Sequence, residues 1–254
     1  MSARTVAWHC PPKTVLVGVD FGDASARALA IAGVVAAAFD ARLRVLHAER
    51  FEPPPYFTVE QIGQLEAAHH AATASAAAHL AHFATAASGL AVESVVADTP
   101  PVDALLSGSA TVDLIVLGTH GRRGPGRWWL GSVAERVVRA AATPVLVARA
   151  AVTPPRAVFE RLVLVQNDMD ADAAARMCAE HFAGVAGGSV TNAGPLAQCD
   201  AALLRQASLI VMATPGHSTS WGFPDAVTKV LGACDRPVLF MPPFGDESET
   251  DHDH

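Results

Sequence analysis

Charge is scarce in this sequence: Asp, Glu, Lys and Arg together make up 17% of 254 residues, aromatic residues 6%, and tyrosine occurs once. With 51% hydrophobic residues, that scarcity argues against disorder and for strands buried on both faces. Long apolar runs are missing too. The longest, Ala28 to Phe39, falls short of the ~20 residues a membrane-spanning helix needs. Met1 to Pro12 lacks the charged, apolar and small-residue order of a signal peptide, so a cytoplasmic protein with no membrane partner is expected. The four cysteines, Cys10, Cys178, Cys199 and Cys234, show no CxxC spacing and are too sparse for a disulfide framework, which leads one to expect buried, inert thiols.

A basic excess is also absent. Residues 1–150 hold 12 basic and 12 acidic side chains, and residues 151–254 hold 6 and 13. A protein that tracks nucleic-acid phosphates needs a basic face to displace counterions, so no nucleic-acid partner is expected.

What the chain does contain is alternation. A buried-strand pattern at Thr14–Val19 is followed by an alanine-rich helical stretch at Ala24–Phe39 and a strand at Arg42–Ala48. After Pro53–Pro55, Thr58 and Gln61 form a capping box that starts a long Ala/His-rich helix, ended by Gly89. Strands at Leu90–Ala97, Asp113–Leu117 and Pro144–Ala148 are then separated by helices at Pro101–Ser109 and Ser132–Ala142. Strands and helices alternating in this way build a mostly parallel sheet with helices on both faces, and ligands bind beyond the carboxyl ends of its strands.

Three strands then recur in order. Lys13-Thr-Val-Leu-Val-Gly-Val-Asp20 is echoed by Arg161-Leu-Val-Leu-Val-Gln-Asn-Asp168, Asp113-Leu-Ile-Val-Leu-Gly118 by Ser208-Leu-Ile-Val-Met-Ala213, and Thr143-Pro-Val-Leu-Val147 by Arg236-Pro-Val-Leu-Phe240. That recurrence predicts two α/β domains, 1–149 and a shortened copy at 161–243, joined by a linker at 150–160 and followed by an acidic, disordered tail at 244–254. About one strand and the long helix have no counterpart in the second copy.

The sharpest motif is Gly118-Thr-His-Gly121, nine residues, then Gly131-Ser132, placed after a strand and before a helix. Glycines let backbone N–H groups approach phosphate oxygens, and a helix N-terminus opened by a serine adds free N–H groups, a positive dipole end and a hydroxyl. Arg122, Arg123 and Arg127 inside the nine-residue stretch either neutralise phosphate charge or keep an exposed loop soluble. His120 has no Ser/His/Asp or metal-ligand spacing around it, and His69, His70, His79 and His82 on the long helix lack a completing carboxylate, so neither a catalytic residue nor a metal site is expected. An aspartate at the end of a first parallel strand, Asp20, suits a nucleoside, and could equally cap the following helix.

The glycine motif, with Val116-Leu117 before it and Pro144-Val-Leu-Val147 after it, resembles the universal stress protein family over residues 13–148. The resemblance implies a Rossmann-like, adenine-nucleotide α-hydrolase-like fold, with two such domains paired as a tandem pseudo-dimer, and further homodimers are open. It implies Asp20 and Ala48 for the nucleoside of ATP and Gly118, Gly121, Gly131 and Ser132 for its phosphates, with Leu117 and Val133 also in the binding site and Mg present or not. Hydrolysis is expected to be weak at most. In the second copy Ala213 and Gly216 stand for Gly118 and Gly121, and Pro224 and Asp225 for Gly131 and Ser132, so no nucleotide is expected there. Two other functions stay open: a partner-binding scaffold that has lost nucleotide affinity, and a nucleotide hydrolase or transferase of the same fold, although Asp20-Phe-Gly-Asp-Ala is not the Ser-Gly-Gly-x-Asp loop that the latter wants.

Overall fold

The computed structural model describes residues 8–48, 59–119, 130–149, 154–166, 169–195, 198–213 and 225–242. The chain runs β1 (Thr14–Gly18), α1 (Asp23–Phe39), β2 (Arg42–Ala48), α2 (Val59–Ser88), β3 (Glu93–Ala97), α3 (Pro101–Ser109), β4 (Leu114–Gly118), α4 (Ser132–Ala140) and β5 (Val145–Ala148). It continues with a 3-10 turn (Pro155–Phe159), β6 (Arg161–Gln166), α5 (Met169–Ala186), β7 (Ser189–Pro195), α6 (Ala201–Gln206), β8 (Leu209–Ala213), α7 (Asp225–Ala233) and β9 (Val238–Met241).

The fold is α/β and mostly parallel, as the alternation implies. The two halves do not carry separate sheets, however. The nine strands among the described residues form one sheet in the order β3-β2-β1-β4-β5-β9-β8-β6-β7, and the halves meet where β5 pairs antiparallel with β9. Every other neighbouring pair is parallel. The order β2-β1-β4-β5 is mirrored by β7-β6-β8-β9, and among the described residues no strand of the second half occupies the place of β3.

Strand side chains alternate between two apolar layers. Val15 and Val17 belong to the layer that holds α1, α2 and α5, whereas Leu16 belongs to the layer that holds α3 and α4, and both layers run across the seam into the second half. The segment expected to be a plain linker contributes to this packing: within 150–160, the 3-10 turn buries Val158 and Phe159 completely. Phe159 stacks on Phe182 of α5 with ring centroids 5.5 Å apart, and Phe182 meets Phe39 of α1 edge-on at 5.8 Å.

The recurring strands superpose with one correction. Asp113 N–H donates to Thr14 O and Ser208 N–H to Arg161 O, while β1 and β6 pair with β4 and β8 through Val15–Leu114 and Leu162–Leu209. Thr14, not Lys13, therefore stands where Arg161 does. A one-residue slip would put Val15 opposite the layer that holds Leu162, and both belong to the same layer. The other two echoes keep the alignment read from the sequence: Ile115 N–H donates to Pro144 O, and Ile210 N–H to Pro237 O.

Among the cysteines, two are not inert thiols. Cys10 and Cys178 are joined as a disulfide, whereas Cys199 and Cys234 are free. The acidic tail, Thr58 and the second-copy residues Gly216 and Pro224 lie outside the described residues.

Candidate functional site

Strand β1 continues to β2 on one side and lies against β4 on the other, which makes a crevice at the carboxyl ends where the strand order reverses. A cavity of about 200 Å³ occupies that crevice. Of the residues expected at the site, Asp20, Ala48, Leu117, Gly118, Gly131, Ser132 and Val133 all line it. Gly121 lies outside the described residues, as do His120, the three loop arginines, Trp128 and Trp129.

Asp20 follows β1 and is held by its own loop. Its Oδ1 accepts from Gly22 N–H at 3.0 Å and from the Ser25 hydroxyl, while its backbone N–H donates to Ser25 Oγ at 2.9 Å. The N-cap position of α1 is Gly22, not Asp20. Ser25 is 3% exposed and lines the cavity, so a side chain within α1 fixes the carboxylate that the sequence pointed to.

Between Asp20 and Gly22 the backbone turns through Phe21 at φ 60°, a left-handed conformation that costs a residue other than glycine of order 1 kcal/mol. The ring is packed on three sides, against His47 (4.7 Å), His79 (4.9 Å) and Phe83 (5.6 Å). His47 Nδ1 lies 2.8 Å from Val19 O, which can only accept, so that nitrogen carries the proton.

The opposite wall is the start of α4. Gly131 is its N-cap at φ +79°, a conformation suited to glycine, and among the described residues no side chain caps the helix. The first-turn N–H groups of Ser132, Val133 and Ala134, which precede the first intrahelical bond from Glu135 N–H to Gly131 O, thus border the cavity. Gly118 is glycine for a different reason: a Cβ there would collide with the Ala24 carbonyl at the start of α1. The two glycines that share the motif answer separate demands, one of packing and one of backbone angle.

Sequence reasoning missed Ser25, His47, Leu105 and Leu130, which also line the cavity. A polar residue inside an alanine-rich helix is the trace of Ser25. The two leucines carry no such signal, since their apolar surroundings match the rest of the core. Among the described residues no group of three or more His, Cys, Asp or Glu could hold a metal ion, and no helix is long and apolar enough to cross a membrane.

Arg149, just after β5, crosses the seam. Its guanidinium donates to Leu231 O at 2.9 Å and Cys234 O at 2.8 Å, closing the end of α7. Burial pushes its pKa down, opposed by Cys234 and Asp235.

No curated protein sequence matches the chain. Its fold is similar to that of a universal stress protein from Archaeoglobus fulgidus DSM 4304, at 16% identity and a TM-score of 0.68, covering 91% of this chain and 98% of that one. It is also similar to a putative universal stress protein from Pseudomonas aeruginosa UCBPP-PA14, at 17% identity and a TM-score of 0.61, covering 91% and 93%. These likenesses extend the shared fold well past β5. The sequence profile of the universal stress protein family matches residues 12–149, more than half of the chain, and the protein therefore belongs to the universal stress protein family.

Proposed function

We propose that the protein binds an adenine nucleotide, ATP in the first instance, in the crevice between β1 and β4. The single observation that carries this reading is the uncapped start of α4, whose first-turn N–H groups border the same cavity as Asp20 and Ala48. Backbone donors at the positive end of a helix suit phosphate oxygens, and a fixed carboxylate at the far end suits a ribose or base. The residues present fit the nucleotide. Magnesium would enter with the phosphates, since the described residues offer no cluster to hold it alone. The protein then acts as a nucleotide-responsive regulatory or protective factor of the cytoplasm, with weak hydrolysis at most.

The second half serves as a shortened copy that takes the place of a partner subunit along β9 and binds no nucleotide. The difference at the end of β8 supports this: Ala213 stands where Gly118 stands in the first half.

Calorimetric titration of the full chain with ATP tests the reading, alongside Ser132→Asp. A carboxylate in the first turn of α4 repels phosphate yet favours the helix dipole, so binding should fall at least tenfold with thermal stability unchanged. No heat of binding in the unmodified protein would leave the scaffold reading in its place.

A further inference from the structure

Cys10 lies before β1 and Cys178 in α5, 168 positions apart in sequence, yet their Cα atoms are 5.8 Å apart, within the span of a disulfide. Contacts other than the sulfurs bring the two together. On one side, His9 N–H and ring Nδ1 lie 2.9 Å and 2.8 Å from Asp113 Oδ1, and Lys13 N–H lies 2.9 Å from Oδ2, so a carboxylate beside β4 pins the chain before and after Cys10. On the other, α5 is seated in the core by Ala175, Ala179 and Phe182. Packing on each side thus holds the pair together with contacts additional to the bond.

We propose that Cys10 and Cys178 form a reversible thiol–disulfide site that reacts with low-molecular-weight disulfides through Cys10. Burial sets the direction of attack: Cys178 is 2% exposed, whereas Cys10 is half-buried, so a small reagent meets the Cys10 sulfur first. The Cys10 thiolate attacks the small disulfide, forming a mixed disulfide and releasing one small thiolate. The Cys178 thiol then loses its proton to solvent, attacks the Cys10 sulfur and expels the second small thiolate. Two protein thiols and one small disulfide become one intramolecular disulfide and two small thiols. Closure ties the segment before β1 in the first half to α5 in the second, and a small dithiol reverses it.

The test uses the full chain, reduced with dithiothreitol, freed of reductant and exposed to oxidised glutathione, with adducts at Cys10 and Cys178 read by peptide mass mapping. The unmodified protein should yield a Cys10–Cys178 linked peptide without retained glutathione at either site. Cys178→Ser should hold glutathione on Cys10, while Cys10→Ser leaves Cys178 unmodified over the same time. Because Cys10→Ser could loosen the segment, a brief iodoacetamide pulse on the reduced unmodified protein gives a second reading, in which Cys10 is alkylated at least tenfold faster than Cys178. Stable glutathione on Cys10 of the unmodified protein, no reaction at either cysteine, or equal alkylation of the two would each overturn the proposal.

Discussion

Leu146 of β5 and Leu239 of β9 face each other at the centre of the antiparallel seam, flanked by Val145–Phe240 on one side and Val147–Val238 on the other. Since Val145 and Val238 occupy matching places after Pro144 and Pro237, the three pairs are related by an approximate two-fold axis through the two leucines. A self-complementary edge of this kind is how identical subunits meet, and here both edges come from one chain. Leu146 and Leu239 are fully buried in one continuous apolar layer, so damage to either half should reach the other.

Leu239→Ala should therefore destabilise the whole molecule by about 2–5 kcal/mol and leave one cooperative transition in urea, monitored by circular dichroism. Leu146→Ala should cost about the same, and the double variant should deviate from additivity by about 0.5 kcal/mol or more, as for residues in contact. Two separate unfolding transitions would show that the halves fold as independent units despite the shared sheet.

Much of this fold is legible in the sequence because parallel strands buried on both faces announce themselves as apolar runs. Arg42–Ala48 and Pro101–Ser109 emerge with the bounds read from the pattern. Strand β7, Ser-Val-Thr-Asn-Ala-Gly-Pro, sits at the sheet edge with every residue at least partly exposed, and hydrophobic periodicity says nothing of it. The one-residue offset between Thr14 and Arg161 escapes the sequence because runs of valine and leucine match themselves equally well when slipped; only the register decides. Glycines and an aspartate at strand ends stand out in the sequence for a related reason, since they are chemically distinct from the core, and the crevice gathers them along one cavity. The Cys10–Cys178 pair is a tertiary fact with no trace in spacing.

Acid should weaken the anchor before β1. Burial acts to raise the pKa of Asp113, but hydrogen bonds from the His9 ring and from the N–H groups of Lys13, His9 and Thr14 outweigh it, leaving the carboxyl below its ordinary value of 3.8. A carboxylate whose pKa is lower in the folded state contributes stability that is complete above its unfolded value, about 3.9, and is lost as pH falls through the folded one. The stability difference between the unmodified protein and Asp113→Asn should hold level from pH 7 to about pH 5 and shrink below about pH 4 in urea denaturation. A difference that widens toward acid would contradict this account.

Replacing the part-buried guanidinium that closes α7 should be costly. Arg149→Met keeps much of the stem and removes two hydrogen bonds, leaving Leu231 O and Cys234 O without that donor. Charged hydrogen bonds of this kind contribute about 1.5–3 kcal/mol, discounted here toward the lower end because water reaches the site. Chemical denaturation should show a loss of about 1–2 kcal/mol, and Arg149→Lys should recover only part of it, since one ammonium cannot reproduce the planar fork.

The two motif glycines should separate packing from binding. Gly118→Ala drives a methyl into the Ala24 backbone, so β4 or α1 must move, and lowered expression or a fall in melting temperature of several degrees is expected. Gly131→Ala meets no atom of the described residues within 4 Å but must hold φ +79°, a strain of about 1 kcal/mol. Thermal melting should therefore rank Gly118→Ala well below Gly131→Ala. Equal melting temperatures would mean that the end of β4 relaxes away from α1 at little cost.

Ser25 offers a measure of how far the nucleoside end depends on a fixed carboxylate. Its hydroxyl donates to Asp20 Oδ1 and its oxygen accepts the Asp20 N–H, so Ser25→Ala removes two constraints from a residue that lines the cavity while leaving Asp20 in place. If Asp20 recognises the nucleoside, ATP affinity should drop about threefold to tenfold in Ser25→Ala and further in Asp20→Ala, whereas inorganic triphosphate, which has no nucleoside, should bind all three proteins alike. Titration calorimetry with both ligands separates the two ends of the site. A parallel loss for triphosphate would mean instead that Ser25 supports the start of α1 as a whole, and that the Asp20 loop and the α4 wall move together.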